Sequence, residues 1–251
     1  MHKTAPVNRE RQLAYVDVLN NGSGNDPQLF EGVLSRLALF RRVARAHVAT
    51  IASHARLQSA PHGTVLCRQG EILPGILVLA YGSAKLSLRR NDGEEKVVRL
   101  LGAGETFGEA AAMHNRPCPV DAIVLVDSMV VQIPRLPLQR LFEVDPQFAH
   151  NLASMLADKF LNLLGEFQAT LQHSALQRLS AYLESLAELN GAPNVWIARL
   201  PASKTTVAAR LGITKETMSR LLRELANRGL IAVERRDIEI RDLPALSRIV
   251  R

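Results

Sequence analysis

Five side chains able to read a nucleic acid cluster near the C-terminus of this 251-residue chain. In "TKETMSRLLRELANRGLI", residues 214 to 231, Lys215, Glu216, Ser219, Arg220 and Arg223 fall on one side of a helix whose other side carries Met218, Leu221, Leu222 and Leu225. Arg presents a fork that matches O6 and N7 of guanine, Glu accepts from N4 of cytosine, and Ser adapts to either role. The N-terminal residues of a helix laid in the major groove reach the base edges, which singles out Glu216, Ser219 and Arg220 for base readout. A solvated face laced with Glu–Arg pairs would use the same residue types, so the surroundings decide between the two.

Those surroundings are what a helix-turn-helix requires. Ser203 can cap a first short helix from Lys204 to Arg210, Gly212 permits a tight turn, and Thr214 can cap the second helix with Glu216 close behind. Val207, Ala208, Leu211 and Ile213, with the apolar side of the second helix, would hold the two helices at a fixed angle. "GLIAVERRDIEIRD" follows, and two alternating strands around "ERRD" would form a wing with Arg235 and Arg236 at its tip. Phosphate contacts set register and orientation without reading sequence; Lys204, Thr205, Thr214, Lys215, Arg223, Arg235 and Arg236 are the candidates for that role.

The rest of the chain must position this unit. Residues 1–27, polar and ending in "NNGSGNDP", read as a flexible arm. Leu29 to Leu57 has helical apolar spacing and reads as two or three short helices. Glycines then separate short apolar runs, "ILVLAYG", "AKLSL" and "KVVRLL", with Asp92-Gly93 as a hairpin turn and "VDAIVLVDSMVVQIP" supplying two more strands; this predicts an antiparallel β-roll within residues 28–144. Asp145-Pro146 marks a helix start. From Gln147 to His173 the three-four spacing predicts one helix of roughly 40 Å. Its stripe, including Leu152, Met155, Leu156, Phe160, Leu163 and Phe167, is longer than one small core needs; it could be buried within its own chain, but the DNA-reading motif needs a two-fold partner, and residues 145–173 are assigned as a dimerisation helix. "ALQRLSAYLESLAELNG" predicts a further helix closing at Asn190-Gly191, opening a winged helix-turn-helix domain over residues 174–251. The fold class expected is α+β: N-terminal β-roll, long helix, C-terminal winged helix-turn-helix.

A formal net charge of +7 favours a polyanionic partner, here double-stranded DNA. No uncharged apolar run reaches membrane-spanning length and the N-terminus lacks a signal-peptide core, so a cytoplasmic protein with no membrane partner is expected. Two cysteines, Cys67 and Cys118, argue against a disulfide framework and exclude a four-cysteine iron-sulfur cluster within the chain; each reads as a small, partly buried apolar residue. Seven histidines (His2, His47, His54, His62, His114, His150 and His173) could serve as axial ligands, though none carries a distinguishing motif. A cupin-like metalloenzyme would need an H-x-H pair; that pair, a nucleophile elbow and a Walker loop are all absent from the sequence, and no catalytic residue is assigned.

The layout as a whole resembles the CRP/FNR superfamily of bacterial transcription regulators, over about residues 29 to 245, most specifically in "GAGETFGE" (102 to 109) and "ITKETMSRLLRELANRGLI" (213 to 231). The E-x-x-S-R spacing of Glu216, Ser219 and Arg220 is similar to the FNR and denitrification-regulator (Dnr) branch. That resemblance implies a homodimer reading a TTGAT-N4-ATCAA type palindrome, with Glu on the cytosine side, Ser on thymine and Arg on guanine, and a contact with RNA polymerase. It also makes the roll a sensory domain whose effector pocket would involve Gly108, Glu109, Arg116 and Pro119. Cyclic-AMP receptors follow G-E about nine residues later with R-S or R-T, whose Arg pairs the cyclic phosphate. Here Pro119 and Val120 stand in those places and Arg116 lies three residues early, which disfavours cyclic AMP unless Arg116 swings onto the phosphate. FNR itself holds its cluster through cysteines mostly near the N-terminus, and none precedes Cys67. The Dnr pattern remains, whose members are associated with nitric oxide sensing through haem.

Overall fold

The computed structural model describes residues 27–89, 93–189 and 195–250, the Leu29 side chain excepted. The arm assigned to residues 1–27 therefore lies almost wholly outside the described residues, as do Asp92 of the hairpin turn and the Asn190-Gly191 helix end. The chain forms two compact units, one centred on the roll and running to Leu161, the other on Asn162–Arg251 together with Arg89–Val97. The division falls inside the long helix.

In the first unit, helix α1 (Pro27–Ser35), a 3-10 turn (Ala38–Phe40) and helix α2 (Arg45–Ala52) precede the strands. Strands β1 (Arg56–Ala60), β3 (Gly75–Tyr81), β6 (Thr106–Phe107) and β8 (Ser128–Pro134) make one sheet in the order β1-β8-β3-β6. Strands β2 (Val65–Cys67), β4 (Ser83–Arg89), β5 (Glu95–Gly102) and β7 (Asp121–Val124) make the other, in the order β2-β7-β4-β5. Strand β3 shows why an uninterrupted apolar run was needed. Successive side chains leave a strand on opposite faces; Ile76, Val78 and Ala80 join the core shared with the helices, while Leu77 and Leu79 join the roll interior with Leu101, Phe107 and Val130. Buried on both faces, such a strand cannot alternate with polar residues.

Helix α3 (Glu109–His114) follows β6, and α4 (Arg135–Val144) follows β8. Asp145 joins α4 to the long helix α5 (Pro146–Gln172): its Oδ1 accepts from the Phe148 backbone N–H at 3.0 Å, and its Oδ2 lies 2.7 Å from His47 Nδ1. The first half of α5 lies in the core of its own chain. Phe148 and Leu152 are buried there, the Phe148 ring lying tilted against Phe40 with centroids 5.5 Å apart, and Met155 and Leu156 are half-buried against the same cluster. This corrects the assignment of Leu152 to a dimer seam, and of Met155 and Leu156 in part. Helical spacing fixes which side of a helix is apolar but not which chain covers it. Beyond Lys159 the stripe is open: Phe160, Leu161, Leu163, Leu164, Phe167 and Leu171 are 46 to 70% exposed.

The second unit contains α6 (Ala175–Ser185), started by a capping box between Ser174 and Gln177. It ends earlier than its sequence predicts, because Ala187–Leu189 forms strand β9, paired antiparallel with β10 (Trp196–Arg199) in the register Leu189↔Trp196. Ala, Glu and Leu all favour helix, and sheet pairing overrides that preference. The sheet runs β11-β12-β10-β9, with β11 (Ile231–Glu234) and β12 (Asp237–Ile240) as the wing. Helices α7 (Lys204–Leu211) and α8 (Lys215–Asn227) lie between β10 and β11, and α9 (Leu243–Val250) packs against α6. Among the described residues no helix is long and apolar enough to cross a membrane.

Candidate functional site

The α7–α8 pair is built by its caps. Ser203 Oγ accepts from Thr206 N–H at 3.1 Å, and Thr214 Oγ1 accepts from Thr217 N–H at 3.2 Å. Between them Gly212 sits at φ +66°, a left-handed position that ends α7 without a Cβ penalty. Val207, Ala208, Met218, Leu221, Leu222 and Leu225 are buried beneath, and Leu211 and Ile213 are half-buried. With one side of α8 anchored, Lys215, Glu216, Ser219, Arg220 and Arg223 are all exposed on the other. Thr205 and Thr214 are exposed beside them and Lys204 is half-buried. The hydroxyl of Thr214 is already committed as a cap.

Electrostatics at this face suit base readout. A backbone N–H, then the Thr214 hydroxyl, hold the Glu216 carboxyl below its ordinary range, so it stays an ionised acceptor. Arg235 and Arg236 are exposed at the two-residue tip between β11 and β12, Arg235 at φ +54°. The wing is braced beside its tip by a contact the sequence did not reveal: Arg199 of β10 donates from Nε and Nη2 to Asp237 of β12 at 2.7 and 3.0 Å. That pair becomes visible only once the register Arg199↔Asp237 is known. Two further arginines were also missed. Arg210 of α7 pairs with Glu166 of α5 at 2.5 Å, and Arg178 of α6 donates to the carbonyls of Leu211 and His173.

The second candidate site is the turn into α3. Gly108 sits at φ +85°, where a Cβ would come within 2.5 Å of Leu73 Cδ1. This places Glu109 on the buried side, 4% exposed, accepting from the Thr106 hydroxyl. Lys159 of α5 completes the cluster, its Nζ donating to Glu109 Oε1 at 2.5 Å and to the Thr106 carbonyl at 2.9 Å. Burial lowers the Lys159 pKa, and the Glu109 charge opposes that effect. Of the four predicted pocket residues, Gly108 and Glu109 belong to this cluster, while Arg116 and Pro119 are exposed on the segment after α3. Lys159 is the residue sequence reasoning missed. The available signal was a lysine inside an apolar stripe, four residues after Met155.

Beside this cluster lies a cavity of about 130 Å3 lined by residues including Leu37, Leu39, Arg99, Glu105, Met155 and Lys159. Arg99 is spoken for, donating to Glu105 at 2.6 Å. The cavity is smaller than the roughly 300 to 1,000 Å3 of pockets that hold drug-sized ligands, and no histidine lines it. His47 is held by Asp145, His54, His62, His114 and His150 are exposed, His173 is half-buried, and His2 lies outside the described residues. None of the described histidines lines this cavity, so its lining does not fit a haem, and no group of three metal-binding side chains occurs among the described residues.

Both parts of the chain match known protein families. Residues 57–145 match the cyclic nucleotide-binding domain family and residues 177–249 the Crp-like helix-turn-helix domain family. The chain is 31% identical over 183 residues to the probable transcriptional regulator flp of Lacticaseibacillus casei, covering 73% of this chain and 81% of that one. It is 26% identical over 211 residues to the cyclic AMP receptor protein of Thermus thermophilus, covering 84% and 95%. The fold is shared with the structure of FixK2 from Bradyrhizobium japonicum, with a TM-score of 0.69 at 21% identity over 78% of this chain and 96% of that one. The first of these is described as a transcriptional regulator.

Proposed function

The chain belongs to the CRP/FNR family of DNA-binding transcription regulators, and from that premise we propose that it acts as a homodimer on a TTGAT-N4-ATCAA-like promoter palindrome. The observation that carries this reading is the joint exposure of Glu216, Ser219 and Arg220 on the N-terminal half of α8, opposite its buried leucines. Two copies joined through the open stripe of α5 would present two such helices to the two halves of a palindrome. Lys204, Thr205, Thr214, Lys215, Arg223, Arg235 and Arg236 would hold phosphates. Such a dimer works in the cytoplasm and contacts RNA polymerase.

The effector acts through the roll by favouring one arrangement of the paired helices, which requires different affinities for the two arrangements. Within the second unit the Arg210–Glu166 pair ties the first helix of the DNA-binding motif to α5, a direct mechanical link to that helix. Nitric oxide through haem, which the Dnr-like recognition helix implies, finds no fitting residues in the cavity. A haem titration followed by nitric oxide addition tests that point: a saturable Soret band would bring haem back.

Binding to the palindrome and to single-base variants tests the main reading. Specific binding should weaken by roughly 1 to 3 kcal/mol for each changed TTGAT position; equal affinity for all sequences refutes it. A second reading, a cyclic-nucleotide response, is favoured by Glu109 and by the likeness to a cyclic AMP receptor protein. Against it stand the Lys159–Glu109 pair and the exposed Arg116. Calorimetry with cyclic AMP and cyclic GMP separates the two, saturable heat supporting the nucleotide.

A further inference from the structure

The chain contains two cysteines, far apart in sequence, and the fold brings them together. Cys67 ends β2 and Cys118 lies on the segment between α3 and β7; both are buried in the roll interior, 1% and 3% exposed. Their sulfurs share one acceptor, the Val120 carbonyl, at 3.9 Å from Cys67 Sγ and 3.4 Å from Cys118 Sγ. The surrounding backbone is stitched together: Gly70 N–H donates to Cys118 O at 2.8 Å, Cys118 N–H donates to Glu71 O at 2.7 Å, and Ile72 bridges Pro117. Both thiols are free.

We propose that Cys67 and Cys118 form a redox-active dithiol that closes to an intrachain disulfide and thereby changes DNA affinity. The oxidant is a peroxide. One thiolate attacks a peroxide oxygen, breaking the O–O bond, expelling hydroxide and becoming a sulfenic acid; the second sulfur attacks the first, and the sulfenic oxygen leaves as water. Two thiol hydrogens and two electrons pass to the peroxide, which ends as two water molecules.

The thiolate is the reacting form. Burial, then the hydrogen bond to Cys118, push the Cys67 thiol well above its ordinary pKa, so the closed dithiol reacts slowly. Access comes from local opening of the exposed strip around it, where Arg68, Arg116, Pro117 and Pro119 all face solvent. The position gives the cross-link its consequence. Cys118 lies on the short segment leaving the helix Glu109–His114, so a disulfide ties that helix's exit to β2 and restricts the segment that holds the Glu109–Lys159 pair.

The test uses the full-length protein with hydrogen peroxide, followed by denaturation, alkylation and mass spectrometry. The expected result is concerted loss of both thiols, one peptide pair joining Cys67 to Cys118, and reversal by dithiothreitol. DNA affinity is read on a fragment selected by the reduced protein from a random pool, so this arm does not depend on the TTGAT assignment. Oxidation should change it at least about fivefold, the lower end of usual allosteric coupling. Cys67→Ala and Cys118→Ala, each checked for native circular dichroism, should form no intrachain link and lose the response. Thiols that stay fully reactive, oxidation to sulfinic acid alone, a link between chains, or a link with unchanged DNA affinity would each overturn the proposal. Any of them leaves the DNA-binding assignment intact.

Discussion

Arg220 is exposed on α8 with no ion pair to a neighbouring carboxylate among those described, whereas the nearby Arg228 is tied to Glu224. Its guanidinium is thus available to a guanine edge. Arg220→Ala is expected to lose roughly 1 to 3 kcal/mol of specific binding and to relax the preference at one base pair. Titration against a set of single-base operators checks this, and an equal loss on every sequence would make Arg220 a phosphate contact instead. Lys159 has a different task. Its removal would leave the Glu109 carboxylate buried without its cation, and breaking such pairs typically costs about 3 to 5 kcal/mol. Since 22% of the Lys159 side chain remains exposed, the lower end applies. Lys159→Met should therefore depress the urea midpoint, and adding Glu109→Gln should recover part of the loss; no recovery would show that the two side chains are not coupled. The recognition face was legible in the sequence because caps, glycine and leucines all fall within one local segment. Lys159 was not legible, because its partner lies far away in sequence and only tertiary packing joins them.

At the scale of elements, the wing and the start of α5 offer separable tests. Arg235 occupies φ +54°, a conformation glycine adopts freely. Arg235→Gly should keep or slightly raise fold stability while weakening every DNA site alike and flattening the salt dependence by about one unit; a sequence-selective loss would contradict a phosphate role. Asp145 caps α5, and its hydrogen bond from His47, with that from Phe148 N–H, holds its carboxyl below the ordinary value. A lowered native pKa means that the ionised form stabilises the fold above the unfolded value, and this contribution disappears as pH falls through the native one. The stability gap between the wild type and Asp145→Asn should thus be full at neutral pH and shrink below about pH 4. Thermal melts across that range check it, and a gap independent of pH would remove ionisation as its source. Strand order within the roll could not be read from sequence, since glycine punctuation marks where strands stop and not which strands pair. Strand β9 was hidden for a related reason: its residues favour helix, and its partner β10 decides otherwise.

For the whole molecule, α5 divides its work along its length. Leu152 belongs to the core of its own chain, and Leu152→Ala should cost about 2 to 5 kcal/mol of fold stability. Phe160 and Phe167 are open to solvent, so Phe160→Glu with Phe167→Glu should leave the fold intact and shift sedimentation from dimer to monomer. A double variant that still sediments as a dimer would place the interface elsewhere. If two copies pair through the open stripe, the protein would also sense its own dosage. While monomers predominate, the population able to occupy a two-fold site grows as the square of the amount of chain, by mass action. Transcription of its gene would then set the response as strongly as any small molecule, and halving expression would cut promoter occupancy about fourfold in that regime.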